Sequence, residues 1–265
     1  MAQFSHSKLS TFEQCPYKYK LRYIEKIIPE IEKSIEAHLG TCVHYALEWV
    51  YKEVLNKKIP TLDEVIVVYS EKWNDEEVEN FLIVKKEFTS KDYFEKGLKF
   101  IIDYYSKNHP FEDGTVELEK EVKINLGNST IIGYIDRLSL GEEEIQIHDY
   151  KTANSIPSKE KIETDRQLAL YSIAIKEKYG KDKKVKLVWH YLAHNLDITS
   201  SRTEEQLENL KKDILDLISE IESSKEFPRS SSILCNWCEY KNVCCGEKKE
   251  IEKDYPTVSK YIREN

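Results

Sequence analysis

"IQIHDYKT", residues 145–152, decides how the chain is read. Side chains alternate across a strand, so Ile145, Ile147, Asp149 and Lys151 share one side. Two apolar residues are followed there by a carboxylate and an ammonium, as at a strand end. The preceding strand-like segment, "GYIDRL" (133–138), carries Asp136. If the two strands pair, Asp136 and Asp149 converge from neighbouring strand ends. Two close carboxylates repel unless a cation sits between them, and oxygen donors at that spacing suit Mg²⁺ or Mn²⁺. Alone, Asp-x-Lys reads as a surface ion pair; two acids and a lysine on consecutive strands make a cation site an equal competitor.

Working outward, "TVELEKEVKINL" (115–126), "STIIGYIDRLSL" (129–140) and "EEIQIHDYKT" (143–152) are short Ile- and Val-rich segments. Turn signals at Gly127-Asn128 and Gly141 separate them, so they read as an antiparallel meander. A helix follows in "ETDRQLALYSIAIKEKYG" (163–180), then a strand in "KVKLVWHYLA" (184–193), then a helix from about Thr203 to Ser224. A strand–helix–strand step after a meander predicts an α/β fold with a mixed sheet and helices packed on it. Upstream, "SKLSTFEQCPYKYKLRYIEKI" (7–27) predicts a short helix opened by Ser7 or Ser10, interrupted near Pro16 and resumed to about Lys26. "SIEAHLGTCVHYALEWVYKEVLN" (34–56) predicts a helix with an apolar stripe through Val43, Leu47, Val50 and Val54. Residues 61–107, rich in Lys, Glu and Tyr, read as two further helices. No internal repeat, low-complexity tract or linker divides the 265 residues, so one domain, 1–265, is expected.

The 40 Lys and Arg residues against 48 Asp and Glu leave a net charge of −8, adverse to a polyanionic partner but silent on how charge is distributed. No run approaches the roughly 18 apolar residues of a membrane span. The N-terminus lacks the apolar core of a secretory signal. A cytoplasmic chain without a membrane partner is therefore expected, and in that compartment clustered cysteines bind metal or do redox chemistry more often than they form disulfides.

Four of the six cysteines fall in "CNWCEYKNVCC" (235–245). Cys235-x₂-Cys238-x₅-Cys244 has the close spacing of a metal site, but three ligands complete neither a tetrahedral nor a cubane centre. The fourth is open among Cys245, Cys42, Cys15 and a histidine. Cys245 adjoins Cys244, and Cys42 sits in a helix where a small core residue is expected. Cys15, before Pro16, is the better candidate, and spacing alone leans to zinc over iron–sulfur. Two further features stand beside the acids and the cysteines. His44 in "GTCVHYALE" (40–48) reads in isolation as a core histidine. Gln167 and Tyr171 in "QLALY" (167–171) share a helix face, and in isolation read as a surface pair.

In order along residues 4–245, "FSHSKLSTFEQCPYKYKLRY", "GTCVHYALE", "GYIDRL", "HDYKT", "QLALY" and "CNWCEYKNVC" together resemble the RecB-like, iron–sulfur branch of the PD-(D/E)XK nuclease superfamily. That branch holds the CRISPR-associated exonucleases and the nuclease domains of bacterial helicase–nucleases. The resemblance implies a restriction-endonuclease-like core with an N-terminal helical region, a helical insert at about 61–107 and a C-terminal iron–sulfur segment. It implies a metal-dependent DNA nuclease acting on single strands or ends. His44, Asp136 and Asp149, with the Tyr150 carbonyl, would hold Mn²⁺ or Mg²⁺, and Lys151 would orient water or steady charge on the phosphate. Gln167 and Tyr171 would support the site and the nearby DNA. Cys15, Cys235, Cys238 and Cys244 would hold a 4Fe-4S cluster, which reverses the lean to zinc; Cys42 and Cys245 have no implied role. No G-x₄-G-K-[ST] appears, so unwinding would need a helicase partner. CRISPR adaptation proteins or repair enzymes are the implied company. The competing readings are a non-catalytic DNA-end-binding or adaptor subunit with the same fold, and a zinc-stapled interaction protein.

Overall fold

The computed structural model describes residues 2–29, 33–76, 81–141, 143–180 and 182–245, with only the backbone of Cys245. Three strands form the expected meander: β2 (Thr115–Leu126), β3 (Ser129–Leu140) and β4 (Glu144–Lys151), antiparallel throughout. β5 (Lys184–Tyr191) lies parallel to β4 after a helical crossover, and β6 (Leu196–Ser200) returns antiparallel on β5. A short β1 (Ala2–Phe4) runs parallel to β3. The sheet order is β1-β3-β4-β5-β6, with β2 on the other edge of β3.

Helices cover both faces and make two cores. On one side α1 (His6–Gln14), α7 (Arg166–Tyr179) and α8 (Glu204–Ser223) bury Leu9, Leu168, Ile173, Ile214 and Ile218 against Ile131, Ile135, Ile147 and Leu187 of the sheet. On the other, α3 (Ile35–Leu55), α4 (Leu62–Asn74) and α5 (Ser90–Asn108) pack Leu39, Val43, Leu47, Tyr69 and Ile101 around Tyr150. Each such buried aliphatic side chain contributes about 1.5–3 kcal/mol. Along β4, Ile145 and Ile147 enter the first core and Tyr150 the second, as alternation requires. The mixed α/β sheet with helices on both sides is as the sequence predicts.

The caps explain the boundaries. Ser34 and Ser5 open α3 and α1 by accepting backbone N–H bonds from Ala37 and Lys8. Thr61 with Glu64 and Thr89 with Asp92 close capping boxes on α4 and α5. Some local expectations are corrected. The first helix opens at Ser5, not Ser7 or Ser10, because Ser5 is the residue in extended conformation whose hydroxyl reaches the third N–H. It resumes after Cys15 as α2 (Pro16–Tyr19), continues as a π-helical turn and ends at Ile24. The crossover segment is split into α6 (Lys159–Glu163) and α7, the latter capped by Asp165. The chain beyond α8 holds a 3₁₀ turn (Ile233–Trp237) and α9 (Lys241–Cys245).

Gly133 of β3 lies under the ring of Tyr171 of α7, where an added Cβ would stand 2.2 Å from a ring carbon. Gly133→Ala is therefore expected to cost about 1–3 kcal/mol by overpacking. Chemical denaturation of the two proteins side by side measures it, and equal midpoints would show that the ring has room to yield.

Candidate metal centre

The site is built where two strands part. β3 pairs with β1 up to Ile131 and with β4 only from Arg137 onward, leaving residues 132–136 between them. Past His148, β4 continues beside β5 alone, as Asp149–Trp189, Tyr150–His190 and Lys151–Tyr191. The Tyr150 N–H on the β3 side of this fork donates instead to Asp136 Oδ2 at 2.9 Å. From α3, His44 places Nε2 2.8 Å from the Tyr150 carbonyl oxygen. A carbonyl can only accept, so Nε2 carries the proton. The other ring nitrogen, Nδ1, then faces Asp136 Oδ2 at 3.4 Å. A nitrogen lone pair and a carboxylate oxygen so placed repel unless a proton or a cation lies between them.

Glu119 of β2 completes the group. It lies between Leu118, paired with Arg137, and Lys120, paired with Ile135, so it stands beside Asp136 in the ladder. Its backbone is left-handed, with φ of 43°. Non-glycine residues held in that region cost about 1–3 kcal/mol and concentrate at functional sites. One donor atom each of His44, Glu119 and Asp136 lie within 4.8 Å of one another, the one such acid/His/Cys group among the described residues. They line a cleft of about 490 Å³ that also receives Thr41 and Glu48. Burial pushes Asp136 up to about 6, with Asp149 and Glu119 adding repulsion while His44 and the Tyr150 N–H oppose it. Glu119 is also raised, by burial first and then by Glu48. Two hard oxygen donors and an imidazole, held close at a cost to their charges, fit Mg²⁺ or Mn²⁺.

The other expected residues lie alongside. Asp149 is buried, and its Oδ2 is 2.7 Å from Lys151 Nζ without the alignment of a hydrogen bond. It acts on Asp136 through its charge and stands outside the compact trio. Lys151 Nζ donates to Gln167 Oε1 at 3.1 Å, and Tyr171 lies one helical turn on from Gln167. Burial works against the Lys151 charge, but Asp149 ahead of Asp165 and Asp136 outweighs it and raises its pKa. Tyr171 is core, not helix surface. The Tyr150 carbonyl, expected among the ligands, accepts from His44 instead.

Cys15 and, some 220 residues later, Cys235, Cys238 and Cys244 line one cavity of about 130 Å³. Among the described residues no three of their sulfurs lie within 4.8 Å of one another, whereas a single tetrahedral zinc with bonds near 2.3 Å would bring its sulfurs to about 3.8 Å. Backbone N–H groups of Lys18 and Ser232 donate to Cys15 and Cys235 respectively. Cys42 is elsewhere, in the α3 core, 3.5 Å from His38 Nε2, its thiol pushed up to about 12 by burial. The side chain of Cys245 lies outside the described residues.

A fork of two strands carrying acids, with a lysine after the second, coincides with a family assignment. The family model described as the PD-(D/E)XK nuclease superfamily matches residues 3–245. The chain belongs to that superfamily. Among solved structures, one named "Putative exonuclease" from Eubacterium rectale aligns with a TM-score of 0.53 at 12% identity, over 89% of this chain and 87% of that one. That likeness shows a shared fold. SSO0001 aligns with a TM-score of 0.43 at 13% identity, over 93% and 87%. No match is found among curated proteins. Among the described residues of this nuclease-superfamily member, no helix is long and apolar enough to cross a membrane.

Two residues of the site escape sequence reasoning. Glu119 is one of three alternating glutamates in β2, and only its left-handed backbone distinguishes it. His6, in the first turn of α1, is pushed down to about 4 by burial, with Arg166 and Lys151 adding to the shift, and its Nδ1 is buried without a hydrogen-bond partner. The raised Asp136 pKa gives a signed prediction. The unfolded chain loses this proton near the ordinary aspartate value of about 3.8 and the folded chain near 6, so stability falls as pH rises between them. Asp136→Asn, in EDTA, should therefore raise the thermal midpoint above pH 6 and lose that gain below pH ~4. A gain that is the same at both ends would show that burial of this charge is not the cause.

Proposed function

We propose that the protein is a metal-dependent deoxyribonuclease, hydrolysing phosphodiester bonds in single-stranded DNA or at DNA ends as an exonuclease. The observation that supports this best is the meeting of His44, Glu119 and Asp136 within 4.8 Å beside the Asp149–Lys151 pair. In this reading His44, Asp136 and Asp149 hold Mn²⁺ or Mg²⁺, with Glu119 as an additional ligand and the Tyr150 carbonyl beside them. When bound, such an ion lowers the pKa of a water and neutralises a phosphoryl oxygen. The chain supplies the rest. Lys151, kept charged by its acids and steered by Gln167, places its ammonium where negative charge develops on the phosphate. Tyr171 fixes Gln167 from the core. The Tyr150 backbone holds both Asp136 and His44 in register, so the donors need little reorganisation.

Cys15, Cys235, Cys238 and Cys244 are assigned to a 4Fe-4S cluster of structural role. Sulfurs spread round one cavity, wider apart than one zinc needs, suit a multi-iron centre. Backbone N–H bonds onto Cys15 and Cys235 match a polarised, thiolate-rich site. Unwinding by a helicase, or service beside CRISPR adaptation or repair proteins, would be supplied by other chains.

Purified anaerobically, the wild type should degrade end-labelled single-stranded DNA with Mn²⁺ and not with EDTA. Asp149→Ala and Lys151→Ala should each lower the rate by at least about 10²-fold, and Glu119→Gln should weaken the apparent Mn²⁺ affinity more than the rate at saturation. A wild type that binds DNA but cuts it with neither metal sinks the enzyme reading and leaves the end-binding subunit. Visible absorbance should be lost with its fold-stabilising effect in Cys235→Ala and retained in Cys42→Ala. Colour and melting temperature both unchanged in Cys235→Ala would overturn the cluster.

A further inference from the structure

Two cavities run together on the face formed by α3, α5 and the segment after β4. One, of about 510 Å³, lies against the first turns of α5; the other, of about 550 Å³, lies between α3 and the 3₁₀ turn of the cysteine segment. They share Lys85, Tyr93, Lys96 and Asn154. The second reaches Thr152–Ser155, directly after Lys151, and shares Ala37 with the metal cleft. Gly40 of that cleft passes so close to the loop that an added Cβ would lie 3.5 Å from Thr152 Oγ1. One groove therefore leads from the metal centre across the end of β4 to the start of α5.

Its charge is uneven in a telling way. Of the acids along it, Glu36 accepts through Oε1 from the Tyr93 hydroxyl at 2.8 Å and from Trp237 Nε1 at 3.4 Å, its Oε2 being buried without a hydrogen-bond partner; Asp92 closes the capping box of α5, and Glu95 faces Lys91 at 3.7 Å. Lys99 pairs with Asp103. Lys85 and Lys96 make no ion pair among the described residues. Burial lowers the Lys96 pKa and the neighbouring Lys85 lowers it further, outweighing the opposing pull of Glu36. Apolar rings flank them. Phe88 is 44% exposed, edge-on to Tyr93, and Trp237 is half-buried on the opposite wall.

We propose that this groove is the track by which one strand of nucleic acid enters the metal cleft, with Lys85 and Lys96 on its phosphates and Phe88 and Trp237 against its bases. It rests on the nuclease reading and adds to it a path and the residues that line it. Lysines interleaved with exposed rings are how a single strand is held without sequence preference. The strand is single because side-chain rings can stack only on bases whose faces a duplex does not already cover.

The test uses the full chain carrying Asp149→Ala, so that binding is read without cutting. Anisotropy of a fluorescent oligothymidylate is followed over a salt series. Lys85→Ala/Lys96→Ala should lower the slope of log affinity against log salt by about 1.4, two contacts at roughly 0.7 each. Phe88→Ala should weaken binding ~5- to 100-fold with the slope unchanged. Lys184→Ala, an exposed lysine at the far end of the sheet, should alter neither. In the otherwise wild-type enzyme the double lysine variant should raise KM and leave kcat. An unchanged slope and affinity in the double variant, or no binding of the oligonucleotide at all, overturns the groove; if the wild type still cuts, the nuclease reading survives it. Loss of binding in the variants of a protein that never cuts does the reverse. Duplex held as tightly as the single strand, and lost equally in Phe88→Ala, refutes a single-strand track.

Discussion

A guanidinium with almost no access to water holds the fork open. Arg137 is 1% exposed, and burying such an ion costs several kcal/mol unless every donor is met. Here each is met. Nε donates to the Tyr150 hydroxyl at 2.9 Å, Nη1 to Asp113 and to Thr115 Oγ1, and Nη2 to His148 Nδ1 at 3.0 Å and the Tyr104 hydroxyl at 3.4 Å, with the Tyr51 ring against its face. The two histidines are kept neutral: burial and then Arg137 push His148 far down, and burial lowers His190, whose Nδ1 donates to Asp197. Arg137 follows Asp136 in sequence, and its partner Tyr150 follows Asp149. The side chains of Arg137 and Tyr150 lock the strands together in the second core. The Tyr150 backbone, at the same position, binds Asp136 and His44. The geometry of the acids is thus set by a hydrogen-bond network that never touches them.

This arrangement lets repulsion be stored. Asp149 and Glu119 add to the cost of ionising Asp136, and Glu48 adds to that of Glu119; the buried Arg137 network does not relieve it, because its positive charge is spent on Asp113 and the tyrosines. Of the nearby lysines, Lys151 reaches Asp149 and Lys52 reaches Glu48, and among the described residues none pairs with Asp136 or Glu119. The net charge of −8 is thus no guide to what the cleft attracts. The acids left without a lysine, Asp136 and Glu119, attract cations, and Lys85 and Lys96, which make no ion pair among the described residues, lie further along the groove.

Much of the fold was legible because its signals are local. The meander from Thr115 to Lys151 is bounded by turn glycines and filled with β-branched residues, and α3 carries its stripe and its cap in one stretch. β1, three residues long, has no periodicity to read and exists only because Ile131 lies beside it. β6 likewise depends on β5 for its register. In the site, Asp136, Asp149 and Lys151 stood out through strand alternation, and His44 through its company in the ordered motifs. Glu119 did not, since its distinction is a backbone angle that no residue type encodes. Nor could alternation show that Asp149 would turn to Lys151 while Glu119 joined His44 and Asp136, because that depends on how the strands splay.

The cysteine cavity poses the matching problem at long range. The N-terminal helices meet the C-terminal segment through Lys18 and Arg22 on Glu239, the Tyr240 hydroxyl on the Ile27 carbonyl, and the Tyr17 N–H on the Pro228 carbonyl. Partly exposed ion pairs of this kind contribute about 0–1 kcal/mol each. Loop-closure entropy rises by about 0.6 kcal/mol with each doubling of length, so over some 220 residues these contacts alone make a weak clasp. Four thiols sharing a metal centre would make it a strong one. Trp237 and Leu234, which wall the groove, sit between Cys235 and Cys238 or beside them. A clasp at those cysteines would therefore fix one side of the groove as well as the chain ends, tying the integrity of the cysteine centre to the shape of the path that leads to the acids.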